Sequence, residues 1–72
     1  MRIRQAYASA LPETQEKYEW DADGNPTYKG VALIADSDDS PVWVIHYFEW
    51  TDGLPTLHKV RTGAWSARAT LF

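Results

Sequence analysis

The chain has no cysteine among its 72 residues. That excludes disulfides and cysteine-ligated zinc, two staples on which small domains often rely, and it fits a reducing compartment. Long apolar runs are also missing: nothing approaches the ~20 residues of a membrane-crossing helix, so no membrane partner is expected. Arg2, Arg4 and Ala8-Ser9-Ala10 resemble the two ends of a secretory leader, but only Gln5-Ala6-Tyr7 lies between them. That is no apolar h-region, and no leader is expected.

Positive charge is scarce in the middle of the chain. Residues 11–55 hold all ten acids and only Lys17 and Lys29, while Arg2 and Arg4 precede them and Lys59, Arg61 and Arg68 follow. Net charge is −3, which argues against a nucleic-acid partner. Trp43, Tyr47 and Trp50 could stack bases, but Asp36, Asp38, Asp39, Glu49 and Asp52 flank them and repel phosphate. The separated charges are either solvated surface or complementary patches between subunits.

What is abundant is aromatic side chain: four Trp, four Tyr and two Phe, 14% of the residues. A single domain of this length meets an ordering cost on the order of 100 kcal/mol. Burying a large apolar side chain returns roughly 1.5–3 kcal/mol, so most of the ten must be covered, by the chain itself or by neighbours.

The pattern reads as all-β. Residues 1–16 form an N-terminal arm, interrupted by Pro12, and residues 17–72 a small β domain. Strands are expected at 17–22, 27–35, 42–50, 56–62 and 64–72. Turns fall at Asp23-Gly24-Asn25-Pro26, in the acidic loop 36–41 and at Thr51-Asp52-Gly53-Leu54-Pro55. Gly30 inside the second strand signals a bulge or a close backbone approach. Five short antiparallel strands make a barrel or a sandwich. Trp20, Gly24, Pro26, Gly30, Trp65 and Leu71 are the expected turn and core positions.

Two strands differ in their faces. Residues 64–71 alternate cleanly, with Trp65, Ala67, Ala69 and Leu71 opposite Ser66, Arg68 and Thr70, as in a half-buried strand. Residues 42–50 are apolar on both sides: Val42, Val44, His46, Phe48 and Trp50 against Trp43, Ile45, Tyr47 and Glu49. One small core covers one face of a sheet. The other must be covered by closure of the sheet or by another subunit, since large apolar patches are rarely left exposed.

Candidate chemistry is thin. Asp21, Asp23 and Asn25 begin like a calcium loop, but Pro26 and Ala32 stand where the loop needs Gly and a bidentate Glu. Pairing across the 51–55 turn sets His46 opposite Val60 and His58 opposite Phe48. The two imidazoles are then diagonal neighbours without a third metal ligand, since Glu49 has the opposite parity. No nucleophile elbow or phosphate-cradling glycine loop is present. Neither an enzyme nor a cofactor or metal is expected.

One stretch resembles a known group. Trp20-Asp21-Ala22-Asp23-Gly24-Asn25-Pro26-Thr27-Tyr28-Lys29-Gly30-Val31-Ala32 is similar to a turn and strand that recur in small proteins of tailed bacteriophages and prophages. Trp43 then opens a strand, and the chain closes with Trp65-Ser66-Ala67-Arg68-Ala69-Thr70-Leu71, like the Trp-x-x-Arg-Ala-x-Leu ending of that group. The likeness spans residues 18–72 and departs at Ala67, where Asn is frequent. It implies a virion structural protein (decoration, cement, connector or tail-associated), made in the bacterial cytoplasm and contacting other virion proteins, as a homo-oligomer or in repeated copies. The alternatives are a monomeric SH3-like peptide-binding module or a phage inhibitor of a host protein.

The contact residues expected on this reading are Arg2, Arg4, Tyr7 and Leu11 in the arm and Trp43, Tyr47 and Trp50 on the aromatic strand. Trp43→Asp should then abolish assembly and spare the isolated domain. Outright unfolding would make Trp43 a core residue instead.

Overall fold

A computed structural model describes residues 13–72. Four antiparallel strands run as a meander: β1 (Thr14–Trp20), β2 (Pro26–Leu33), β3 (Trp43–Thr51) and β4 (Leu54–Gly63). The sheet does not close into a barrel, and among the described residues there is no second sheet to make a sandwich. The arm residues Arg2, Arg4, Tyr7 and Leu11 lie outside the described residues. Thr14, Gln15 and Glu16, expected in the arm, belong to β1.

The hairpins follow from local chemistry. Asp52 and Gly53 both take positive φ, 51° and 77°, the geometry of a two-residue I′ loop whose twist matches that of its strands. Between β1 and β2, the Asp21 carboxylate accepts from the amides of Asp23 and Asn25, each at 2.9 Å, and Gly24 supplies φ of 84°. The calcium-like run is therefore a side-chain-locked turn.

The expected fifth strand is absent. Trp65–Ala67 form a turn of 3-10 helix, and α1 (Arg68–Leu71) continues it. The alternation of Trp65, Ala67, Ala69 and Leu71 was the wrong period to read. Trp65, Arg68 and Phe72 also recur at helical spacing, and over so short a run the two patterns coexist. Ala67 and Ala69 favour the helix.

That segment folds across one face of the sheet, and the core sits beneath it. Among the described residues the buried apolar side chains are Ala32, Trp43, Ile45 and Trp65, with Tyr28, Leu71 and Phe72 packed against them. Two glycines shape the contact. A Cβ at Gly30 would lie 2.5 Å from Trp65 Cε3 and 3.0 Å from Trp43 Cε3, and one at Gly63 would lie 2.7 Å from Leu71 Cδ1. Gly30 thus marks a close approach, not a bulge: it is the floor on which the Trp65 ring lies.

Gly30→Ala is expected to push Trp65 off its seat and cost about 1–3 kcal/mol, the range for overpacking, read as a lower midpoint in denaturant followed by Trp fluorescence. Trp43→Asp is expected to unfold the domain outright, read by circular dichroism.

Candidate protein-contact face

Register sorts the side chains onto two unlike faces. Ile45 pairs with Gly30 and with Arg61, and Tyr47 with Tyr28 and with Lys59. This capped face therefore carries Gln15, Lys17, Glu19, Glu49, Lys59 and Arg61 around the apolar centre, with Gly30 and Gly63 beneath the C-terminal segment. Arg68 fastens that segment. It donates to the Glu19 carboxylate at 2.6 and 2.8 Å and to the Trp65 carbonyl at 3.1 Å. Its guanidinium also lies 4.5 Å from the Trp65 ring centre, an arrangement worth roughly 0.5–1 kcal/mol at exposed sites.

The acidic loop is part of the same scaffold. Asp38 receives Lys17 at 2.7 Å, and its carbonyl receives the Ser66 amide at 3.0 Å. The Trp43 indole donates to the Ser37 carbonyl at 2.9 Å, and Gln15 donates to the carbonyls of Leu33 and Asp36. The loop ties β1, β3 and the C-terminal segment together.

The opposite face has no such cover among the described residues. Tyr18, Val31, Leu33, Val44, His46, Phe48, His58 and Val60 share it, as the pairs Val31–Val44, His46–Val60 and Phe48–His58 require. Val44 and Val60 are 43% and 44% exposed, and Trp20, stacked on Tyr18 at 5.2 Å, is 57% exposed. Trp20 is thus a surface residue and not the core position expected of it. Among the described residues the only formal charges on this face are Glu16 and Lys29, which pair with each other at 3.3 Å. Two devices kept it hard to see in the sequence. Lys29 lies over the Tyr18 ring at 5.9 Å, and the polar letters of β1 and β4 dilute the apolar ones.

The expected contact residues divide between the faces. Trp43 is fully buried beneath Trp65, at a ring separation of 5.8 Å, so it is core and not interface. It shares a parity with Ile45 and Tyr47, and the C-terminal segment decides that this is the covered side. Tyr47 lies on the capped face, stacked on Phe72 at 5.3 Å and donating to Glu49 at 2.8 Å, a bond that raises the phenol pKa. Trp50 alone of the three belongs with the open face, where it packs on Phe48 while its indole donates to the Pro26 carbonyl at 2.7 Å. Pro26 opens β2, Gly24 turns the first hairpin, and Trp65 and Leu71 hold the cap.

Near the middle of the open face His46 Nδ1 and His58 Nε2 are 2.8 Å apart. The ring centres are 5.1 Å apart and the planes differ by 19°, so the two nitrogens point at each other. One imidazole donates and the other accepts. Their lone pairs do not converge on a common third atom, as a chelated metal requires, and no cluster of three metal-ligating side chains occurs among the described residues. Phe48 stacks on His58 at 4.5 Å. Burial, then the charge of His58, then that of Lys29, lower the His46 pKa below the ordinary 6.5.

Comparison of the chain with family models, with curated proteins and with solved structures finds no match.

The depressed His46 value fixes a pH dependence. The folded state binds that proton less readily than the unfolded chain, so its contribution is complete above pH 6.5 and is lost as pH falls below it through the folded value. Of the groups facing the pair, Lys29 from β2 opposes the proton, and Glu16 from β1 is engaged by Lys29. The urea midpoint is expected to fall between about pH 7.5 and 5, and less so in His58→Gln. An equal fall in that variant would remove the pair from the account.

Proposed function

We propose that this chain is a structural protein that works by contact with other proteins through its open sheet face. In that role it is a decoration, cement, connector or tail-associated component of a tailed-phage particle.

The observation that carries the reading is the open face itself. It exposes valines, a leucine and aromatic rings side by side on a nearly uncharged surface. A protein that acts alone rarely leaves such a patch in water, and a partner covering it would gain roughly 25 cal/mol per Å² of apolar area. The core adds to the argument. Among the described residues four buried apolar side chains are a small core for a chain without disulfides, and contact with neighbours supplies further burial.

The phage setting rests on the resemblance of residues 18–72. The ending that carries much of it, Trp65 to Leu71, has a definite task in this chain. Trp65 fills the hollow over Gly30, Arg68 clamps to Glu19, and Leu71 fills the space over Gly63. A sequence signature built from such residues specifies a scaffold, which suits a particle component that performs no chemistry.

Quantifying the chain in purified particles of a phage that encodes it tests the reading. Repeated copies per particle are expected, with Val44→Asp depleted from particles while remaining folded. A chain abundant in the lysate and absent from particles would overturn the virion assignment.

A further inference from the structure

We propose that the open face is a self-association surface, on which a second copy of this chain docks face to face about a two-fold axis. The inference rests on the preceding reading of that face as a protein-contact surface and names the partner.

Charge is the first argument. Among the described residues the capped face carries Lys17, Glu19, Glu49, Lys59, Arg61 and Arg68, whereas the open face carries only Glu16 and Lys29, already paired at 3.3 Å. A two-fold contact sets a patch against its own copy, so a surface with an excess of one sign repels itself, and the capped face carries four cations against two carboxylates. The open face has no unpaired formal charge to repel. A highly charged partner would find nothing on it to engage, whereas an identical surface offers matching valine and aromatic rows.

Area is the second. Four strands about 4.8 Å apart, each roughly eight residues long at about 3.3 Å per residue, give a footprint of about 500 Å². Two copies together bury on the order of 1,000 Å², the lower bound of a specific interface. The face is therefore large enough for a complete sheet-on-sheet contact, with the strands of the two copies within about 30° of each other.

The third is shape and chemistry at the centre. Val44 and Val60 stand beside His46 and His58 in the middle of the face. The histidines satisfy each other across 2.8 Å, so burial beneath a second copy leaves fewer polar groups unpaired. Residues 1–12 are the rival occupant. They bring Arg2 and Arg4 to a face whose one carboxylate is engaged, and only Met1, Ile3, Tyr7 and Leu11 as large apolar groups.

The test is sedimentation velocity of the full chain at neutral pH over a wide concentration range, for wild type, Val44→Asp and Val60→Asp, with circular dichroism to confirm folding. The proposal expects a concentration-dependent dimer whose Kd rises at least about tenfold, near 1.4 kcal/mol, in each folded variant. Val60 lies on the edge strand, so its variant reads the interface even if Val44→Asp fails to fold. A dimer unchanged in both variants overturns the proposal, because the contact then lies elsewhere. A wild-type monomer at every concentration also overturns it, and a hydrophobic dye then separates two cases. Dye binding leaves the face open for a different protein, so the contact-surface reading survives. No dye binding means the chain covers its own face, and that reading fails as well.

Discussion

The Trp65 indole is seated over Gly30 and beside Trp43, and the remainder of the structure follows from that seat. A side chain at position 30 would collide with the ring, and without the ring Trp43 and Ile45 would face water. The seat draws the last eight residues across the sheet, brings Leu71 over Gly63 and Phe72 against Tyr28 and Tyr47, and sets Arg68 beside Glu19. The long loop before β3 is tied in through Ser37 and Asp38. A chain without disulfides thereby builds its core around one tryptophan pair and two missing side chains.

Because the C-terminal segment covers one face, it cannot cover the other. A five-stranded closed sheet would have shared the aromatic residues among its own walls. A four-stranded open sheet with a helical cap makes two surfaces of opposite character: a capped face ringed by charges, and an open face almost without them. The open face is thus a direct consequence of how the core is made. The same constraint gives the His46–His58 pair its place, on adjacent strands and on the side that the cap never reaches.

Much of the sheet was legible in the sequence. The Asp-Gly turns, the four strands and the cross-strand partners of His46 and His58 follow from local turn chemistry and period-two parity, which a meander preserves. Gly30 was legible as either a bulge or a close approach, and the Trp65 ring makes it the second. The C-terminal segment was not, since Trp65 to Phe72 satisfies strand and helix periods together and only the fit of Trp65 over Gly30 decides between them. The site was half legible. An apolar strand with two sticky sides pointed to association, but Trp43 is core, because burial is settled by which face the cap reaches and parity alone does not say which. The start of β1 was hidden because Gln15 and Lys17 stabilise it through bonds to a loop instead of through apolar packing.

The most direct test of this account is the proton NMR environment of Gly30 and residues 64–72 in the full chain. A Trp65 ring seated on Gly30 displaces the Gly30 α-proton shifts by its ring current and gives cross-relaxation between them and the indole, with helical sequential contacts from Trp65 to Leu71. Unshifted Gly30 protons, with cross-strand contacts between β4 and residues 64–72, would restore a fifth strand and contradict the capped, one-sided sheet.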